Sequence, residues 1–268
     1  MAAVTHDPTI FRLLNDPGSY YGPQFFGVGL DDKSDEMFQA DVEKALRIIQ
    51  SVGPSGVTPL ADHIVEIRKE VSAMKDNLSR SGKRVTIILA TDGIPTDNYG
   101  YEQKGEFISA LRSLEGLPLW VVIRLCTDDD DVVQFYNSLD DNLELSLEVL
   151  DDFASEAHEV NEHNPWLNYT LALHRCREMG FYHRVFDMID EKALSKSELR
   201  EYVRLIFGET NIDGLPDPEF EWSEFCKKVN ELSKKEPKQY NPITRKVEPW
   251  INVKKMNKVY GNNACIIS

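Results

Sequence analysis

The side chains best suited to metal chemistry in this 268-residue chain are two oxygen donors, Thr58 and Asp92. Asp92 comes directly after the run Val-Thr-Ile-Ile-Leu-Ala-Thr at 85–91, which is typical of a buried strand. Thr58 stands in the loop Gly-Val-Thr-Pro-Leu at 56–60, just before an amphipathic segment. Open α/β sheets hold ligands at the carboxyl ends of their strands, and hard divalent cations prefer oxygen donors. The two residues therefore predict part of a Mg²⁺ site, with Mn²⁺ or Ca²⁺ as alternatives.

The elements that must position these residues alternate between helix and strand. Apolar residues recur every three or four positions between 59 and 78, which predicts an amphipathic helix. Segments 85–90 and 117–125 are apolar almost throughout and predict strands, with a helix at about 103–114 between them and a final strand at 143–150. This alternation predicts an α/β fold with a mostly parallel sheet that helices cover on both faces.

The two loop motifs, Gly-Val-Thr-Pro-Leu at 56–60 and Thr-Asp-Gly-Ile-Pro-Thr-Asp at 91–97, resemble the von Willebrand factor type A (vWA) domain. The resemblance implies a Rossmann-like domain in which three loops share one divalent cation. Those loops carry an Asp-x-Ser-x-Ser motif after the first strand, a threonine and a later aspartate, and Thr58 and Asp92 match the last two. Partners of this family commonly supply a carboxylate that completes the metal coordination, so the resemblance also implies a protein partner.

The amino terminus allows two interpretations of the missing first motif. In one, residues 24–30 form an internal strand of the family fold and the strand that carries the motif is absent, so that binding is independent of metal. In the other, Asp-Lys-Ser-Asp-Glu at 32–36 is a decayed form of the motif, with Glu36 at the second serine position. The full set of candidate metal ligands is Asp32, Ser34, Thr58 and Asp92.

Two further functions compete with that of a metal-dependent or scaffolding interaction module. One is a metal-dependent hydrolase or phosphoryl-transfer enzyme that uses Asp92, Asp97 and the four aspartates at 128–131 as sheet-edge carboxylates. The other is a degenerate vWA copy without a ligand. Four adjacent aspartates at the start of a helix point in different directions, and they suit a helix cap better than a metal site. No arrangement of nucleophile, base and orienting group is visible, so we predict no catalytic residue and treat an enzyme as the minor hypothesis.

Charge is distributed unevenly along the chain. The net charge is −15, but residues 227–268 hold ten Lys or Arg against three Glu, a net of +7, which leaves −22 for residues 1–226. An acidic body disfavours nucleic acid as a partner. The sequence shows no signal-peptide pattern after Met1 and no run of eighteen apolar residues, so we expect a cytoplasmic protein.

The chain ends in Cys265-Ile266-Ile267-Ser268, which matches the motif for attachment of a farnesyl group to a cysteine. A single lipid holds a protein to a membrane only weakly, and a basic segment commonly supplies a second attraction. Lys254, Lys255 and Lys258 suit that role through anionic lipids. We therefore expect the protein on the cytosolic face of a membrane.

The sequence pattern changes at 164, where a run of helical segments replaces the alternation of helix and strand. Ser195 and Glu198 fit a capping box at the start of one of these helices. We therefore predict a vWA-like domain at 1–163, a small helical extension at 164–232 and a basic flexible tail at 233–268.

Overall fold

The computed structural model describes residues 8–30, 34–53, 55–139, 143–208 and 214–261. The chain divides into two compact units after Val149. The helix at 153–163, which the sequence assigned to the first domain, belongs to the second unit because Ala157 and Val160 lie in the core of that unit. The change from sheet to helices therefore comes earlier in the chain than residue 163.

The first unit is a mixed α/β structure in which helices follow strands as predicted. Its strands β3 and β4 pair in parallel over seven residues each, and β4 lies between β3 and β5. The elements are β1 Thr9–Arg12, β2 Phe25–Val28, α1 Asp35–Ser51, α2 Leu60–Ser81, β3 Val85–Thr91, α3 Lys104–Arg112, β4 Leu119–Leu125, α4 Asp130–Asn137 and β5 Leu147–Leu150.

The core of the first unit lies on one face of this sheet. Ile87 and Leu89 of β3 face the same way as Val121 and Ile123 of β4, and they pack with buried residues of α2, α3 and α4. Strand β4 is buried along both faces, as the apolar run predicted. Strand β3 is not, because its alternate residues Thr86, Ile88 and Ala90 are exposed. The prediction of a sheet covered on both faces is therefore wrong for β3.

The strand expected at 24–30 is present as β2, but it does not join the parallel sheet. It pairs antiparallel with β1 in a two-stranded sheet of its own. Val28 of this hairpin packs against Phe38 and Ala45 of α1. The side chain of Arg12 in β1 forms ion pairs with Glu66, at 3.2 Å, and with Glu70, both on α2.

The second unit is mainly helical and has its own core, centred on the fully buried side chains of Trp166, Tyr202 and Phe225. Ser195 and Glu198 form the predicted capping box at the start of α8. The elements are α5 Phe153–His163, α6 Leu171–Glu178, α7 Arg184–Asp187, α8 Lys196–Phe207, α9 Trp222–Lys235, β6 Gln239–Asn241, β7 Lys246–Glu248 and α10 Val253–Tyr260.

Residues 233–261 differ from the flexible tail expected there. They contain the antiparallel β6–β7 hairpin and α10, whose Met256 and Tyr260 are buried in the second core. Ile251 pairs with Leu167 in an isolated bridge, which ties this segment to the start of the unit. This segment is folded because it contains apolar residues, which its high lysine content makes hard to recognise in the sequence. Among all described residues, no helix combines the length and apolar character needed to cross a membrane.

Candidate functional site

The carboxyl end of β3 is fixed by a hydrogen-bond network around Gly93. The Thr91 hydroxyl, 4% exposed, donates to the Gly93 carbonyl at 3.2 Å, and the phenol of Tyr136 on α4 donates to the same oxygen at 3.0 Å. Burial raises the pKa of Tyr136, and the negative charge of Asp92 adds to that effect. Tyr136 therefore stays a neutral donor, and the turn that carries Asp92 has a fixed path.

The loop that carries Thr58 is held from the amino-terminal segment. The Asn15 side-chain amide donates to the carbonyls of Ser55, at 3.1 Å, and Val57, at 2.8 Å. Gly56 has φ +104°, and a Cβ atom there would lie 2.7 Å from the Asn15 side chain. Glycine is required at this position both by the backbone conformation and by the close approach of the amide. The motif residue Gly56 is thus explained by packing within the loop.

Thr58 and Thr96 join the two loops directly. The Thr58 backbone N–H donates to the Thr96 hydroxyl at 2.8 Å, and the Thr96 N–H donates to the Thr58 carbonyl at 2.9 Å. A Cβ atom at Gly93 would lie 3.7 Å from the Thr58 hydroxyl oxygen. That hydroxyl bonds to no described residue, so it faces the turn after β3 as a free oxygen. The structure therefore brings Thr58 next to the turn that carries Asp92.

Asp97 shapes the next turn of the chain. Its carboxylate accepts the backbone N–H groups of Tyr99, at 2.8 Å, and Tyr101, at 2.9 Å. The turn presents both tyrosine rings to solvent, with exposed fractions of 87% and 72%. The Asn98 side chain donates to the Asp62 carboxylate at 3.1 Å, which links this turn to α2. Asp97, a ligand in the hydrolase hypothesis, therefore has a structural role as an acceptor within its own loop.

The candidate ligand Ser34 lies at the start of α1. It is the N-cap of α1, where its hydroxyl accepts the Met37 N–H at 3.5 Å. Asp32 lies outside the described residues. The Ser34 hydroxyl therefore serves as a helix cap, and its role as a metal ligand stays a prediction.

The aspartates at 128–131 follow β4 and lie at the same end of the sheet as the turn after β3. Asp129 is the N-cap of α4, and its carboxylate accepts the N–H groups of Asp131, at 3.0 Å, and Val132, at 3.3 Å. This confirms the predicted capping role. In the described part of the chain, no three carboxylates, imidazoles or thiols at this end of the sheet place ligand atoms within 4.8 Å of one another.

These loops supply two oxygen donors for a divalent cation, the free hydroxyl of Thr58 and the exposed carboxylate of Asp92. Mg²⁺ requires near-octahedral oxygen coordination, so two protein ligands do not form a complete site. The described residues therefore do not fit a tightly held metal ion.

Comparison with protein-family models, curated proteins and solved structures found no match to this chain.

A second group of ionisable residues, not foreseen from the sequence, lies inside the second unit. Arg177, 4% exposed, donates to Glu156 and to Asp190, each at 2.7 Å. Glu159 completes a group of three carboxylates whose ligand atoms lie within 4.8 Å of one another. Burial raises the pKa of Glu156 to about 7, and the Arg177 guanidinium opposes this shift.

One signal for this group is visible in the sequence. Glu156 falls in the apolar stripe that Phe153, Ala157 and Val160 form on α5, where a carboxylate needs a buried partner. Since the positive charge of Arg177 already lies between Glu156 and Asp190, we interpret the group as a structural ion-pair network.

The lipidation candidate Cys265 lies outside the described residues, but the helix that precedes it is described. Lys254, Lys255 and Lys258 are all exposed on α10. Helical geometry places them within an arc of about 100°, opposite the buried Met256 and Tyr260. The sequence predicts a flexible tail at these lysines, whereas the structure arranges them on one side of a helix.

Proposed function

We propose that this chain is a vWA-like protein-interaction module that binds its partner at the rim formed by residues 55–58 and 91–103, without a tightly held metal ion. We further propose that a farnesyl group on Cys265 tethers it to the cytosolic face of a membrane. The observation that carries the first proposal is the joining of the two motif loops at the carboxyl end of β3 by reciprocal Thr58–Thr96 hydrogen bonds.

The exposed chemistry of this rim suits a protein partner. Tyr99 and Tyr101 present large aromatic surfaces on a turn whose backbone is fixed by Asp97, so little conformational entropy is lost when they are covered. Aromatic residues are enriched in protein interfaces for this reason. Asp92, on the turn after β3, adds an exposed carboxylate to the rim. The surface is thus rigid, aromatic and acidic.

The tether is supported by the position of α10. Cys265 comes five positions after Tyr260, a distance of at most about 18 Å for an extended chain. A lipid at Cys265 would hold the exposed lysines of α10 within reach of anionic headgroups. The membrane attachment therefore combines one lipid with a basic helix face, the two signals that stable anchoring needs.

The rim is tested with variants that change its exposed groups and with matched controls elsewhere. Chemical cross-linking in cells is compared between wild type, Asp92→Ala and Tyr99→Ala, with Asp76→Ala and Tyr20→Ala as controls. Asp76 is exposed on α2, and Tyr20 is 91% exposed, so each control removes the same side chain from another surface. We expect partners that the rim variants lose and the controls keep. Cross-links that no rim variant reduces would refute the rim as the binding surface.

Metal dependence is tested separately by calorimetric titration of Mg²⁺, Mn²⁺ and Ca²⁺. We expect no saturable heat with a Kd below about 0.1 mM, since two ligands hold these ions poorly. Saturable binding that Asp92→Ala abolishes would show that the rim is a metal site.

The tether is tested by Cys265→Ser in cells that have farnesyltransferase. Membrane partitioning and electrophoretic mobility that do not change in this variant would refute lipidation.

A further inference from the structure

Strand β3 is an edge strand of the parallel sheet in the described part of the chain. Two hydrogen bonds, one at each end of the strand, show which residues of β3 bond to β4. The Val85 N–H donates to the Pro118 carbonyl at 3.0 Å, and the Thr91 carbonyl accepts the Cys126 N–H at 2.8 Å. In a parallel ladder, alternate residues bond to the same neighbour. The odd-numbered residues of β3 therefore bond to β4, and the even-numbered ones turn their backbone groups away from it.

The outward row consists of Thr86, Ile88 and Ala90. Each has one N–H and one C=O on the edge opposite β4, and no described strand pairs there. Their side chains are also exposed, with Ile88 at 36%. The edge thus presents three backbone donors and three acceptors to solvent beside an apolar row.

Within the described residues, strand β3 itself carries none of the features that keep exposed sheet edges apart. Exposed edges are commonly blocked by lysine, proline, a bulge or a very short strand. Strand β3 has seven residues, no charge and no proline, and it pairs one-to-one with β4 along its whole length. It is a template for another strand.

We propose that β3 is a self-association edge through which two copies of the chain pair antiparallel about Ile88. Two identical edges that face each other are related by a two-fold axis, so the paired strands must run antiparallel. With Ile88 opposite Ile88, Thr86 meets Ala90 of the second copy on each side. All three N–H and all three C=O groups of each copy are then bonded, which gives six hydrogen bonds.

Features of the strand favour a second copy over an unrelated strand. The outward row has one residue on each side of Ile88, so its backbone donors and acceptors complement those of a second copy. Residues 85–91 carry no charge, and the pairing therefore sets no like charges opposite each other. The two Ile88 side chains lie together as a β-branched cross-strand pair. The charge of the whole chain, −15, opposes association, so added salt strengthens the dimer by screening it.

Sedimentation equilibrium of the full chain tests the proposal at concentrations up to about 1 mM, where interfaces as small as one strand pair associate. We expect a monomer–dimer equilibrium that strengthens with salt. Ile88→Lys, which places two lysines together at the axis, should weaken it at least about tenfold. The control is Ile49→Lys, the same change at a 43% exposed position of α1, and it should leave the dimer unchanged. Circular dichroism checks that both variants fold.

Hydrogen exchange of wild type provides a test that needs no substitution. The amide protons of Thr86, Ile88 and Ala90 should become protected as the concentration rises, whereas those of Ile87 and Leu89 should be protected at every concentration. A wild type that stays monomeric throughout would overturn the proposal, as would a dimer that Ile88→Lys leaves intact. Species larger than a dimer would also overturn it, because a two-fold strand pair is closed.

Discussion

The exposed lysines of α10 give a quantitative prediction for membrane binding by the proposed farnesylated form of the protein. The triple change Lys254→Ala, Lys255→Ala and Lys258→Ala leaves the buried side of the helix untouched, since Met256 and Tyr260 lie opposite. Each lysine near an anionic surface contributes about 1 kcal/mol. Three of them contribute about 3 kcal/mol, which is a change of about 100-fold in the partition coefficient.

The assay is binding to sucrose-loaded vesicles with and without phosphatidylserine. We expect the variant to lose about 100-fold in affinity for the anionic vesicles and to match wild type on neutral ones. Raising the salt concentration should reduce the difference, because exposed charges are screened.

The matched control carries Lys69→Ala, Lys75→Ala and Lys83→Ala, the same charge change at exposed positions of the first unit. It should bind as wild type does. Equal losses in the two triple variants would refute the role of α10 and attribute the effect to total charge. Binding of the α10 variant equal to wild type on anionic vesicles would refute it outright.

Two further predictions concern stability. Arg177→Met should destabilise the protein by about 3–5 kcal/mol, because it leaves buried carboxylates without their cation. The pKa of Glu156 is raised, so the folded state holds that proton more tightly than the unfolded chain, and the loss should shrink as the pH falls from 8 to 5. Denaturant unfolding at both pH values measures this, and an equal loss would indicate packing rather than charge. The Ser195 backbone N–H, with help from the Ser195 hydroxyl and Lys192, lowers the pKa of Glu198 to about 2. Glu198 therefore stabilises the fold above the pKa that it has in the unfolded chain, and this stabilisation is lost as the pH falls toward 2. A carbon NMR titration that gave Glu198 an ordinary pKa would contradict this.

Much of the fold could be predicted because its signals are local. Helix α2 has apolar residues at helical spacing, and the capping box at Ser195 and the cap at Asp129 depend on neighbours within three residues. Thr58 lies between two helices rather than after a strand, so its closeness to the turn after β3 depends on the Thr58–Thr96 hydrogen bonds. The use of Thr58 and Asp92 as ligands stays a prediction.

The features that could not be predicted depend on distant partners. An apolar strand pattern does not reveal whether other elements cover each face of the strand. The sequence therefore did not predict that one face of β3 is exposed. Arg177 and Glu156 are 21 positions apart, and no local pattern pairs them. In the same way, Asn15 holds the carbonyl of Val57 from 42 positions upstream. In residues 253–260, the lysines masked an apolar side formed by Val253, Met256 and Tyr260.

The contribution of α10 to the second core has a consequence for biosynthesis. The first core draws its buried residues from positions before 150, so it can form while the rest of the chain is still being translated. The second core needs Met256 and Tyr260, and these cannot pack until they have left the ribosome. A nascent second unit therefore keeps Trp166 and its neighbours exposed until Met256 and Tyr260 have emerged. That interval is when chaperones would have most to bind.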